Sequence, residues 1–164
     1  MSFYLLVRFL HIATAIWFIG GLVARQIVRS HAKRTDDIHR FAAFREAAER
    51  VERTMVMPGS VAVVVVGIFL GFITGAPILG VLQGAPKNWL LVSNLLILMA
   101  FLFVPLIFLP WRKKYNLALT DALAKGQITP ELRAHVDDVT VRLAHWFELG
   151  STILVVFLMV FKPF

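Results

Sequence analysis

The chain has 164 residues, 59% of them hydrophobic and only 16% charged, with a formal net charge of +7 and a mean hydropathy of +0.76. This lies far on the apolar side of an ordinary soluble domain and marks a membrane protein, long enough for one compact bundle but not for a separate soluble domain. The absence of Cys excludes disulfides, thiolate ligands, iron–sulfur clusters and thiol nucleophiles. The basic residues sit between hydrophobic runs, where they set topology and meet anionic head groups, so nucleic acid is excluded as a partner.

Phe3 to about Ile27 is long enough to cross a bilayer, and Arg8 is its only Lys or Arg before Arg25. A cleaved signal peptide is the competing reading, but the basic n-region and the small-x-small site are missing and the apolar run is too long. Within this span, Phe9 to Gly21 carries His11 at membrane depth. An ionisable side chain there is costly to insert and is by default a functional-site hypothesis, with a hydrogen bond to a neighbouring helix as the plainer alternative.

From Arg25 to Arg53 the chain turns basic. Ile38, Phe41, Phe44 or Arg45, Ala48, Val51 and Met55 recur at steps of three and four, which predicts an amphipathic helix along the membrane surface. Glu46 with Arg50, and Glu49 with Arg53, are four apart and read as weak solvated pairs. Pro58-Gly59 punctuates this helix, and Ser60 to about Leu79 is the second span. Its Gly67, Gly71 and Gly75 share one face, which suits close helix packing or a flat ligand against the backbone. Ala76-Pro77 and Gly84-Ala85-Pro86-Lys87 mark a turn.

Trp89 opens the third span, which runs to about Leu109 and ends in Pro110-Trp111-Arg112-Lys113-Lys114-Tyr115, an interfacial anchor of aromatic rings followed by cations. Ser93 and Asn94 are the polar residues inside it. The helical pattern continues through Leu117, Leu119, Ala122 and Leu123 to a stop at Lys125-Gly126. Thr129-Pro130-Glu131 restarts a helix with Thr as N-cap and Pro at the first position. Leu132, Val136, Val139 and Leu143 keep its stripe, and with no breaker before Gly150 one helix is predicted to run on into the last span, about Leu143 to Phe161.

The predicted fold is therefore all-α: a four-transmembrane-helix bundle, a single integral membrane domain over residues 1–164, with spans at about 3–27, 60–79, 89–109 and 143–161 and amphipathic helical extensions on the cytoplasmic side. Lys and Arg crowd the first and third connections while the second holds only Lys87, so the positive-inside rule places both termini outside. Arg8 and His11 then share a face in the outer half of span one, with Ser93 and Asn94 at similar depth. His145 and Glu148 lie near the inner end of span four, on the order of 20 Å from its outer end, too far for His11 and His145 to hold one iron. His31, His39 and His135 sit in charge-rich stretches and read as solvated, and the spacing of His135, Asp137 and Asp138 does not converge ligands on one face. No Ser-His-Asp arrangement, phosphate loop or paired carboxylate motif is present.

Leu10-His11-Ile12, Trp17-Phe18 and Gly20 or Gly21, then Arg50-Val51-Glu52-Arg53 before Pro58, Trp89-Leu90, and Phe147-Glu148 through Lys162-Pro163-Phe164 resemble the membrane-bound, haem-binding protoporphyrinogen oxidases of bacteria. A family of bacterial integral membrane proteins of unknown function shares this outline, and its ending is similar to Leu158-Met159-Val160-Phe161-Lys162-Pro163. The resemblance implies the bacterial inner membrane with periplasmic termini. It also implies haem b with His11 as axial ligand; Trp17 belongs to the same motif, while depth and helix face add Arg8, placed to pair with a propionate, and Ser93 and Asn94 as the other candidate residues of the site. The oxidases carry a Lys four residues after the span-three Trp where this sequence has Ser93, so the resemblance extends to the haem through His11 but does not extend to the oxidase activity and its substrate. Two readings follow: a haem-b redox protein, or a non-catalytic membrane subunit docked on a membrane partner or on its own copy.

Overall fold

The computed structural model describes residues 2–164 and, among them, is all-helical. Four rods, Phe3–Lys33, Ile38–Thr74, Trp89–Ala124 and Pro130–Phe161, are each long and apolar enough to cross a membrane. Large apolar side chains are exposed along them, such as Ile16, Phe72 and Leu106. That is the pattern of a surface solvated by acyl chains, since a contiguous apolar belt of this extent is not tolerated in water.

α1 (Phe3–Lys33) contains no proline and runs past the predicted end at Ile27. α2 (Ile38–Val51) starts at Asp37, whose carboxylate accepts the backbone N–H of His39 at 2.8 Å and of Arg40 at 2.9 Å. It does not stop at Pro58 as a separate surface helix. It passes through a π-helical turn, Glu52–Val56, into α3 (Met57–Thr74). Proline offers no N–H and crowds the carbonyl four residues back, which breaks a regular α-helix. The π turn bonds five residues back, with Met57 N–H reaching the Glu52 carbonyl, and so resets the ladder where Pro58 enters. The third rod uses the same device: α4 (Trp89–Phe103), a π turn over Val104–Phe108 containing Pro105, then α5 (Leu109–Ala124) with Pro110 in its first turn.

Two further boundaries differ from expectation. α3 ends at Thr74, short of Leu79, because Gly75 adopts φ +63 and caps it, with Ala76 N–H returning to the Gly71 carbonyl at 2.9 Å. The expected continuous last helix is broken between α6 (Pro130–Val136) and α7 (Val139–Phe161). There the Asp138 carboxylate takes the N–H groups of Thr140 and Val141 at 2.8 and 3.2 Å, an alternative to continuing the helix that short acidic side chains offer the backbone. Thr129 caps α6 as expected, accepting from Leu132 N–H at 3.2 Å.

α1 packs on α3 and α4 on α7. Glycines set the first contact: a Cβ at Gly59 would lie 3.1 Å from the Phe18 Cα, at Gly67 2.8 Å from the His11 Cε1 and at Gly21 2.7 Å from the Met55 Cβ. The expected Gly67, Gly71 and Gly75 face is thus divided, since Gly71 meets Ile78 of the following turn and Gly75 is the cap. Both termini lie at one end, where Asn88 and Trp89 N–H donate to the Phe164 carbonyl at 2.9 and 3.0 Å and Phe3 stands edge-on to Phe69. At the opposite, basic end the extensions close over a core of Ala32, Ile38, Phe41, Tyr115, Ala118, Ala122 and Leu132. Full burial of a side chain such as Phe41 contributes about 1.5–3 kcal/mol.

Candidate functional site

His11 projects from α1 onto the backbone of α3, its imidazole lying in the notch where Gly67 has no side chain. Its Nδ1 is buried and has no hydrogen-bond partner among the described residues. Among the described residues none of the others assigned with it is hydrogen-bonded to its ring. Arg8 is exposed. Trp17, six residues on and so roughly 120° around the helix, is 41% exposed. Ser93 is fully buried, but its hydroxyl donates to the Trp89 carbonyl one turn back at 2.8 Å. The Asn94 amide donates to the Ile78 carbonyl at 2.9 Å and so ties α4 to the turn after α3. Ser93 and Asn94 are committed to their own local structure.

A second constellation lies toward the basic end. Arg25 of α1 is almost wholly buried, and its two terminal nitrogens donate to Glu52 Oε2 and Glu148 Oε2, each at 2.5 Å. Glu148 also accepts from His145 Nδ1 at 3.3 Å, one turn back on α7. The other imidazole nitrogen, Nε2, faces Arg29 Nη1. A guanidinium can only donate, so Nε2 accepts, which fixes His145 as the neutral tautomer with its proton on Nδ1, directed at Glu148. Arg29, His145, Glu148, Arg25 and Glu52 thus form one chain of hydrogen bonds from α1 through α7 to the first π turn. Both π turns serve it: Glu52 opens one, and Phe108, closing the other, stacks on the His145 ring at 4.6 Å. π turns inside α-helices gather at functional sites, and ionisable residues in membrane helices face the bundle interior with named partners.

The sequence reading singled out His145 and Glu148 by depth but did not join them to Arg25 or Glu52. The available signal was charge itself, since Arg25 and Glu148 each lie at the border of an otherwise apolar run. The expected Glu46–Arg50 and Glu49–Arg53 pairs form, at 3.2 and 2.7 Å, and Glu49 additionally meets Arg112 of α5.

Comparison with curated proteins and with solved structures gives no match. Residues 5–163 match the family described as predicted integral membrane protein (DUF2269), and with nearly the whole chain covered the protein belongs to that family.

Proposed function

We propose that the protein is a haem-b-binding redox protein of the bacterial inner membrane, with His11 as the protein ligand to iron and the basic end facing the cytoplasm. The observation that carries the reading is the buried His11 Nδ1 without a partner inside an apolar span. A neutral imidazole is a standard haem-iron ligand, and an unsatisfied buried nitrogen calls for an explanation, of which a bound group is one. The sequence resemblance to membrane haem proteins at Leu10-His11-Ile12 supports the same assignment. Arg8, exposed one turn nearer the termini, is free to pair with a carboxylate at the membrane edge. Ser93 and Asn94, engaged with backbone carbonyls, contribute no iron ligand. When bound, haem b would supply one-electron chemistry. The orientation rests on the first and third connections, which hold nearly all the cations, against Lys87 alone in the second.

A second reading, a non-catalytic membrane subunit, is favoured by the fit of the His11 ring into the Gly67 notch, where it serves as packing. The two differ in colour. Protein purified from haem-supplemented cells is expected to show a Soret band that shifts on reduction, lost in His11→Ala and kept in His31→Ala, His39→Ala and His135→Ala. A colourless wild type assigns His11 to packing, and bleaching by His145→Ala but not by His11→Ala moves the ligand to the basic end.

A further inference from the structure

Beside the ion chain, at the basic end, the structure holds a pocket of about 180 Å³ between α1, α2, α5 and α7. Its walls include Arg29, Arg45 and Arg142, and Lys33, which pairs with Asp137 at 3.2 Å, together with Trp111, Tyr115 and Trp146, and among the described residues no Asp or Glu lines it. Among the described residues none of the three arginines is in an ion pair. Arg29 has only the neutral His145 as its side-chain partner. Arg45 lies with its guanidinium carbon 4.8 Å over the Tyr115 ring, and its Nε is buried with no hydrogen-bond partner. The nearby carboxylates are spent on Arg25, Lys33, Arg53 and Arg112.

Guanidinium groups gathered around one partly desolvated space without a carboxylate in its walls are an unfavourable arrangement for the protein alone, because the partly buried cations, Arg29 and Arg45, lose water and gain no counter-ion. It becomes favourable when an anion with several acceptor oxygens enters, since guanidinium forks match phosphate bidentately. The walls are already set: Trp111 stacks on Tyr115 at 4.7 Å, and its indole N–H is fixed on the His135 carbonyl at 3.1 Å. The volume lies below the roughly 300 Å³ at which pockets for drug-sized ligands begin, which suits a small anionic group and not a large cofactor.

We propose that this pocket binds a phosphate group, through Arg29, Arg45 and Arg142, with Trp111 and Tyr115 flanking whatever the phosphate is attached to. The phosphate comes either free in solution or as the head group of an anionic lipid, both of which reach the edge of the bilayer.

The full-length protein, titrated with inorganic phosphate in neutral detergent against chloride at equal ionic strength, tests the first source. The protein in nanodiscs of phosphatidylcholine alone or with phosphatidylglycerol tests the second. The readouts are tryptophan fluorescence, to which Trp111 and Trp146 contribute, and the unfolding temperature. A saturable phosphate response that chloride does not reproduce, weakened about tenfold or more in Arg45→Gln and Arg142→Gln, supports a free phosphate ligand. A response to phosphatidylglycerol alone, lost in the same variants, supports a lipid head group. A response to either probe that is equal in wild type, Arg45→Gln and Arg142→Gln, or a chloride response equal to that of phosphate with no preference for phosphatidylglycerol, overturns the proposal, as does no response at all. Arg142 is exposed, so its variant remains testable if Arg45→Gln fails to fold.

Discussion

Arg25→Leu is the perturbation that most directly tests whether the buried ion chain holds the bundle together. The Arg25 side chain is 6% exposed, Glu148 16% and Glu52 33%, and both carboxylates reach the guanidinium at 2.5 Å. Removing the cation leaves two partly buried carboxylates without the guanidinium they share, and breaking a buried pair by deleting one partner costs about 3–5 kcal/mol because the remaining charge stays desolvated. For a chain of this size each kcal/mol moves the unfolding temperature by about 2–4 °C, so a drop of roughly 6–20 °C is expected by circular dichroism in detergent. Replacing all three residues, as Arg25→Leu with Glu52→Leu and Glu148→Leu, removes the desolvation penalty together with the attraction and is expected to recover most of that loss. Glu52→Gln alone, at the most exposed member, is expected to cost about 1 kcal/mol. A single Arg25→Leu shift of no more than about 2 °C, the scale of a surface pair, or a triple variant as unstable as the single one, refutes the reasoning.

Gly67→Ala places a methyl 2.8 Å from the His11 Cε1 and is expected to destabilise by about 1–3 kcal/mol through overpacking. The double variant with His11→Ala should regain that loss, and additive losses in thermal unfolding would show that the two residues do not touch. The Asp37 carboxyl is held below its ordinary value of 3.8 by the backbone N–H of Arg40, followed by that of His39. Its capping contribution is therefore complete above that value and is lost as pH falls through the lower folded-state value. Asp37→Asn should flatten this acid limb in a pH series of unfolding curves, and an unchanged limb assigns the acid sensitivity to other groups.

Local signals in the chain carry the four spans, the Thr129 cap, the stop at Lys125-Gly126 and the i, i+4 pairs of α2, because each depends on residues within a few positions of one another. Pro58 reads as a stop and is not one, since a proline breaks an α-helix but not one whose preceding turn has shifted to π bonding, and nothing local in Glu52 to Val56 announces that shift. The spacing of Gly75 from Gly67 and Gly71 suits packing, yet spacing does not report φ, and its left-handed conformation makes it a cap. The Asp137-Asp138 pair did carry a local signal, an acceptor just before Thr140, which the apolar stripe through Val136 and Val139 outweighed. The ion chain draws Arg25, Glu52 and Glu148 from three separate helical segments, and such a contact exists only after the rods are placed side by side. His11 was legible as an unusual residue, whereas its seat against Gly67 was not.

The distribution of partners in that chain bears on how the polypeptide enters the bilayer. Arg25 and Glu52 belong to the first pair of spans, and His145 and Glu148 to the second, so each hairpin carries a companion for its own buried charge before the two meet. Helical hairpins that insert first and associate afterwards must carry their ionisable side chains across the interface unaided by later segments, and an unaccompanied charge there resists insertion. Here Glu52 can accompany Arg25 through that stage, and His145 can donate to Glu148 while the second hairpin is still alone. The Arg25–Glu148 and Arg29–His145 contacts run between the two hairpins, so they exist only once the hairpins lie side by side, and Arg25 then supplies the cation that Glu148 lacks within its own hairpin.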